Sequence, residues 1–262
     1  MQEWSGDIVT GIGSRDADIR EVKSVERVVR ETRPDWVVLA AAYADVDRCE
    51  TNPEQAFAVN RDGAMNVATA AKSSGSRLLF LSSDYVFDGK KTTPYETGDP
   101  RNPKSVYGRT KAEAEIKLQE LIPDCCIART SWLFGTGGKC FPDTILKLAA
   151  SRPALDVVDD QRGCPTYAVD LARTLIQLCR KNASGIVHVT NAGDCTWFEF
   201  AREILLSAGH GTTVRAVSSE QMARPAPRPA YSALSASGLH SLGIEMPSWH
   251  DALSRYMKQR QG

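Results

Sequence analysis

The chain has 262 residues, enough to bury a substantial core as one large domain or as a domain with a smaller lobe. Lysine plus arginine equals aspartate plus glutamate at 32 each, so no net field draws the chain to nucleic acid or to an anionic membrane, and a small-molecule partner is expected. No run of about 18 apolar residues is present, and Met1-Gln2-Glu3-Trp4 lacks the basic-then-apolar layout of a signal peptide, which makes the cytoplasm the expected compartment.

Along the chain, short apolar runs alternate with helical patterns, as βα units around a parallel sheet require. Residues 36–40 read as a strand. Asn52-Pro53-Glu54-Gln55 then supplies an N-cap, a proline at the first helical position and a capping-box partner, opening a helix to about Lys72. Residues 78–81 form the next strand, 94–103 a polar, proline-rich loop, and the following helix runs to about Glu120. A strand at 126–130, a glycine-rich turn at 135–138 and a helix through Ala149 complete the first part. After it come strands at 155–158 and 185–190 with a helix at 167–178 between them. A capping box at Thr196-Trp197-Phe198-Glu199 opens a helix to Ser207. A proline-rich linker at 224–229 precedes a last helix at 249–259. The expected architecture is α/β: a Rossmann-like doubly wound parallel sheet in a cofactor domain over residues 1–150, then a smaller α/β substrate lobe over 151–262. Seven cysteines without a Cys-x-x-Cys pair, two of them adjacent at Cys125 and Cys126 in a strand, read as reduced core packing. The four histidines are scattered and His188 sits inside a strand pattern, so no metal site is expected.

The chemistry concentrates around Tyr107 and Lys111. Four residues apart on a helix, they share one face, and an ammonium beside the phenol would lower its pKa toward neutrality. Such a tyrosine can hand a proton to a carbonyl oxygen as hydride reaches the carbon. Ser83, at the end of the preceding strand, would hold the same oxygen. Tyr-x-x-x-Lys alone is a weak signal. The serine-bearing strand end one βα crossover upstream strengthens it.

Five blocks now occur in order: Ala40-Ala41-Ala42-Tyr43-Ala44-Asp45-Val46-Asp47, Ser82-Ser83-Asp84-Tyr85-Val86-Phe87-Asp88-Gly89, Tyr107-Gly108-Arg109-Thr110-Lys111, Arg129-Thr130-Ser131-Trp132 and Asp160-Gln161-Arg162-Gly163-Cys164-Pro165-Thr166. Together they resemble the signature of the dTDP-4-dehydrorhamnose reductases, which belong to the extended short-chain dehydrogenases. The resemblance runs from about Gly11 onward. It implies reduction of the 4-keto group of dTDP-6-deoxy-L-lyxo-4-hexulose to dTDP-L-rhamnose with NADPH, NADH and a homodimer being left open. It makes Tyr107 the proton donor, Ser83 its hydroxyl partner and Lys111 the group that also holds the nicotinamide ribose. It further implies that Asp18 and Ile19 lie by the adenine, that Ala41, Ala42, Tyr43 and Ala44 run along the cofactor, and that Val46, Ser83, Asp84 and Trp132 face the substrate.

Blander roles compete for several of these residues. The Ala40-Ala41-Ala42 run serves tight strand packing as well as cofactor contact. Trp132 competes with ordinary core, its place after a strand end favouring a stacking wall, and Asp84 with a turn cap. Arg228 in the linker could meet a substrate diphosphate, although a solvated linker arginine is the commoner outcome. Cys140 stands where similar proteins usually carry asparagine. A second class of function stays open, a binding or regulatory subunit resembling the methionine adenosyltransferase beta subunit, which shares the Ser-Ser-Asp-Tyr-Val-Phe-Asp-Gly block.

The start of the chain departs from the resemblance. A nucleotide-binding fold of this kind opens with a strand, a Gly-x-x-Gly-x-x-Gly loop and a helix whose N-terminus cradles the pyrophosphate. The nearest segment, Gly11-Ile12-Gly13-Ser14-Arg15-Asp16, has aspartate where a third glycine is needed. Residues 7–12 align as the second strand, which implies one βα unit missing before them, exposed edges beside it and weak NADPH binding. The other reading makes residues 7–13 the first strand with a degenerate loop. After the segment aligned as the second strand the chain reads Gly13-Ser14-Arg15, with no acid at the strand end to bind a ribose 2′-hydroxyl, whereas Arg15 suits a 2′-phosphate. Arg15→Ala is therefore expected to lower the NADPH-to-NADH ratio of kcat/KM by about tenfold, the worth of one charge-assisted hydrogen bond. Steady-state kinetics with both cofactors check this, and an unchanged ratio excludes that role.

Overall fold

The computed structural model describes residues 6–261; the Met1–Trp4 segment read above lies outside them. Its first half contains α1 (Val22–Thr32), β1 (Trp36–Leu39), α2 (Val46–Thr51), α3 (Pro53–Phe57), α4 (Ala64–Ser74), β2 (Arg77–Ser83), α5 (Val106–Leu121), β3 (Cys126–Thr130), β4 (Leu133–Phe134) and α6 (Phe141–Ala149). The helix expected from Pro53 is α3 and α4 joined by a π-helical segment, Ala58–Gly63. The expected capping box at Asn52 does not form. Asn52 also ends α2, and its side chain donates back to the Arg48 carbonyl (3.2 Å) instead of capping α3. Helix α2 itself was not foreseen; Asp45 caps it by accepting from the Arg48 N–H at 3.0 Å.

The second half contains β5 (Ala154–Val158), β6 (Arg162–Gly163), β7 (Thr166–Tyr167), α7 (Ala168–Arg180), β8 (Gly185–His188), β9 (Cys195–Thr196), α8 (Trp197–Ser207), β10 (Thr213–Val217), α9 (Ser237–Ser241) and α10 (Trp249–Gln261). The capping box of α8 forms as read, with Glu199 N–H donating to Thr196 Oγ1 (3.1 Å) and Thr196 N–H to Glu199 Oε2 (2.8 Å).

The main sheet is parallel throughout, in the order β1-β2-β3-β8. Side-chain alternation along β2 gives it two buried faces. Leu78 and Phe80 point to α1, α4 and α5, packing with Val25, Ala68 and Leu118. Leu79 points the other way, to Leu171, Leu175 and Leu178 of α7 and Leu239 of α9. Helices on both faces make the sheet doubly wound. A separate cluster around Phe134, Phe200 and Tyr256 packs α6, α8 and α10 against β5, which pairs in parallel with β10 in a two-stranded sheet.

Two expectations are corrected here. Residues 7–12 are not a strand: the segment lies on the surface with Ile8 fully exposed, and Asp7 pairs with Arg180 of α7 at 2.8 Å. No strand beyond β1 is present among the described residues, so nothing in this segment exchanges backbone hydrogen bonds with the sheet edge. The division at residue 150 also does not follow the sheet, because β8 pairs with β3 and α7 covers one sheet face. The chain enters the smaller lobe, returns to the main sheet and leaves again. No helix among the described residues is long and apolar enough to cross a membrane.

Helix α5 reaches the sheet end only because Gly108 has no side chain. A Cβ there would lie 2.2 Å from the Tyr85 carbonyl oxygen, a backbone atom that cannot swing aside. Gly108→Ala is therefore expected to destabilise the fold by roughly 1–3 kcal/mol through overpacking. Gly98→Ala, which meets nothing within 4 Å, serves as the control. Chemical denaturation of both variants checks this; equal stability would show that α5 shifts freely.

Candidate active site

Strand β2 ends at Ser83, whose hydroxyl accepts from the Tyr85 N–H at 3.2 Å and starts a single 3-10 turn, Asp84–Val86. Opposite it, Ser105 caps α5 by accepting from Gly108 N–H at 3.1 Å. The first turn of that helix carries Tyr107 and its second Lys111. Tyr107 is half-buried and stands edge-on to Tyr85, ring centroids 5.6 Å apart. The structure thus brings Ser83, Tyr107 and Lys111 to one strand end, as the spacing implied. Lys111 is buried, its Nζ donating to the Leu81 carbonyl at 2.8 Å and lying over the Phe80 ring. Burial lowers its pKa to about 8.

The expected coupling between these two residues is corrected. Burial pushes the Tyr107 phenol above its ordinary value, because a phenolate is poorly solvated there. The facing Ser83 hydroxyl draws it back, while Lys111 is committed to a backbone carbonyl. Next to them, Asp84 is buried, with Oδ1 accepting from Ser83 Oγ at 2.9 Å.

Two further side chains hold this arrangement, and neither was singled out from the sequence. Asn60, buried in the π-helical segment, accepts from Tyr43 N–H at 2.7 Å and donates to the Tyr43 carbonyl and to Thr110 Oγ1, tying the loop after β1 to α5. Glu115, one turn beyond Lys111, is buried against Ser82, Arg101 and Arg129.

The cofactor residues divide in two. Tyr43 packs beside Tyr107 in a small cluster with Cys49, Ala56 and Val106, while Ala41 and Ala44 are exposed along the same loop and Ala42 is half-buried, so a small-residue surface runs to the Tyr107–Lys111 face. This end fits a nicotinamide riboside. The Gly11–Arg15 segment does not fit a pyrophosphate. It is a surface turn in which the Asp16 carboxylate already accepts the Gly13 N–H (2.8 Å), and α1 begins only at Val22. Ile19 packs into the core against Gly63, and Asp18 is paired with Arg20, which holds its carboxyl down at about 2. Arg15 is exposed. All seven cysteines are free thiols, and no group of three or more His, Cys, Asp or Glu side chains is placed to hold a metal among the described residues.

On the substrate side, a cavity of about 740 Å³ opens beside Tyr85 and is lined by Phe141, Trp197, Met222, Arg224 and Arg228. Val46 is the first residue of α2 and is half-buried. Trp132 does not line this cavity. It sits at φ 46°, a region costly for a bulky side chain, and stacks on Trp197 with centroids 3.5 Å apart. Gly163 makes room for it: a Cβ there would lie 2.6 Å from the indole. The expected aromatic wall is therefore Trp197, with Trp132 behind it. Arg228 is neither solvated nor free, since Asp47 grips it at 2.7 and 2.8 Å. Cys140 precedes α6, its Sγ 3.4 Å from both Asp143 and the Tyr256 hydroxyl. A second cavity, about 760 Å³ and lined by Arg162, Arg202, His210 and Trp249, contains none of the expected site residues.

Comparison with known proteins gives the same fold. The RmlD substrate binding domain family matches residues 2–261. The spore coat polysaccharide biosynthesis protein SpsK of Bacillus subtilis is 39% identical over 96% of this chain and 89% of its own length. A dTDP-4-dehydrorhamnose reductase of Streptomyces griseus is 40% identical over 95% of this chain and 84% of its own. Among solved structures, a dTDP-4-dehydrorhamnose reductase from Clostridium acetobutylicum superposes with a TM-score of 0.96 at 36% identity, covering all of this chain and 94% of that one. One from Bacillus anthracis, in complex with NADP, gives 0.92 at 36% identity over 95% of this chain and 89% of that one. With a match across nearly its full length and relatives near 40% identity, the chain belongs to the RmlD substrate binding domain family.

Proposed function

We propose that the chain is a nucleotide-sugar ketoreductase with the activity of its relatives named dTDP-4-dehydrorhamnose reductase, reducing the 4-keto group of dTDP-6-deoxy-L-lyxo-4-hexulose to give dTDP-L-rhamnose. The observation that carries this reading is the meeting of Ser83, Tyr107 and Lys111 at the carboxyl end of β2, beside a cavity with an aromatic wall and two arginines. A non-catalytic relative has no need of all three together. NADPH, when bound, supplies the hydride. Tyr107 donates the proton to the carbonyl oxygen, and its raised pKa keeps that proton in place through neutral pH. Lys111 holds the nicotinamide ribose once it leaves the Leu81 carbonyl, and Ala41, Ala42, Tyr43 and Ala44 line the cofactor. Asp18 and Ile19 are assigned to the adenine and Arg15 to the 2′-phosphate. Val46 and Asp84 lie on the substrate side, and Trp197, backed by Trp132, takes the nucleobase of the dTDP-sugar. Arg224, at the cavity rim, faces the diphosphate.

The test is Tyr107→Phe, which keeps the ring and removes the donor. At saturating NADPH, turnover with the keto sugar is expected to fall at least ~100-fold, the contribution of a positioned acid. Cofactor affinity, followed by NADPH fluorescence, is expected to stay the same. Turnover close to that of the unaltered chain would remove Tyr107 from the chemistry.

A further inference from the structure

The segment between β10 and α9 contains no helix or strand, yet it roofs the cavity beside Tyr85 with Glu220, Met222, Ala223 and Arg224. Two carboxylates from other parts of the chain hold this roof. Asp47 of α2 takes its far end, accepting from the Ala226 N–H and the Arg228 guanidinium. Asp160, between β5 and β6, takes its near end: Oδ2 accepts from the Ser219 N–H at 2.7 Å and Oδ1 from the Ser219 hydroxyl at 2.6 Å. Gln161, which itself lines the cavity, donates from Nε2 to Ser219 Oγ at 2.6 Å. The Ser219 carbonyl accepts from the Met222 N–H at 3.2 Å, closing the turn that leads to Arg224.

Asp160 and Gln161 open a sequence block whose later members support the opposite wall. Gly163 gives Trp132 its room, and the Thr166 N–H donates to the Trp132 carbonyl at 3.2 Å. One short stretch of chain thus braces the roof at one end and the indole stack at the other.

We propose that Asp160 is a positioning residue for the nucleotide part of the substrate, fixing the roof through Ser219 before the ligand arrives. The inference rests on the ketoreductase reading above for what the cavity holds. A roof held at one end only must be ordered by the ligand, and that ordering costs binding energy. Contacts to the nucleotide lie away from the reacting carbonyl and are the same in the ground state and the transition state, so weakening them raises KM and leaves kcat. Asp160 is exposed, which puts its two hydrogen bonds at the weak end of the range for a charged acceptor.

The experiment titrates dTDP calorimetrically into the full chain and into Asp160→Ala, Asp160→Asn and Ser219→Ala. Affinity for dTDP is expected to fall about tenfold in Asp160→Ala. Asp160→Asn can still accept the Ser219 N–H and Ser219→Ala still donates it, so each should lose only about threefold. In turnover, KM for the keto sugar rises by the same factors while kcat stays within about twofold. Cleavage by a glutamate-specific protease after Glu220, exposed on the roof, quickens in the same order. Unchanged dTDP affinity in Asp160→Ala, a loss that falls on kcat, or cleavage after Glu220 no faster than in the unaltered chain overturns the proposal. An unaltered chain without affinity for dTDP overturns it as well. An unaltered chain that binds dTDP, weakens in this order on substitution and yet reduces no keto sugar fails the ketoreductase reading and leaves Asp160 in its role.

Discussion

A buried carboxylate holds α5 to the sheet. Glu115 is fully buried and receives Arg129 Nε and NH2 at 2.9 and 2.6 Å, Arg101 Nε at 2.5 Å and Ser82 Oγ at 2.5 Å. Burial alone would raise its pKa, yet the arginine contacts hold it below the ordinary value, so it stays charged. An ion pair so buried is a poor source of net stability, but leaving one partner uncompensated costs about 3–5 kcal/mol. Its consequence is geometric. Because Glu115, Lys111 and Tyr107 lie on one helix face, fixing the carboxylate to β2 and β3 sets the rotation of α5 and aims the other two at the end of β2.

The remaining contacts of the site follow from that placement. With α5 fixed, Gly108 allows contact with the Tyr85 carbonyl, and Ser83 and Asp84 come to face Tyr107. Asn60 ties the loop after β1 to Thr110 of the same helix. His188, on the neighbouring strand, borders Arg129 at 3.5 Å; burial and that positive charge lower its pKa to about 4 and keep it neutral. A charged histidine there would oppose Arg129 in a medium of low dielectric.

The second constraint joins the two parts of the molecule. Asp47, on the helix after β1, accepts two hydrogen bonds from Arg228 and one from the Ala226 N–H at 3.1 Å, closing the proline-rich linker over Tyr85. On the far wall, the Trp132–Trp197 stack holds Trp132 in a left-handed backbone conformation. The cavity lies between this linker and this stack, and the residues that bound it come from segments more than 100 positions apart.

Much of this was legible in the sequence, for reasons of periodicity. Short apolar runs marked β2 and β3 as strands, the spacing of Tyr107 and Lys111 placed both on one helix face, and Thr196 with Glu199 announced its helix start; each depends only on near neighbours. Asn52 misled because its amide had two possible uses, and the C-terminus of α2 took it. Residues 7–12, aligned by resemblance as a strand, misled because a segment becomes a strand only where a neighbouring strand meets its backbone groups. The tertiary structure alone decided that β8 returns to the main sheet, that Glu115 meets Arg129 and that Asp47 meets Arg228 across 181 positions. It also put Trp197, rather than Trp132, on the cavity. Such contacts join charges and rings distant along the chain, and only the packing of sheet and helices sets the distances between them.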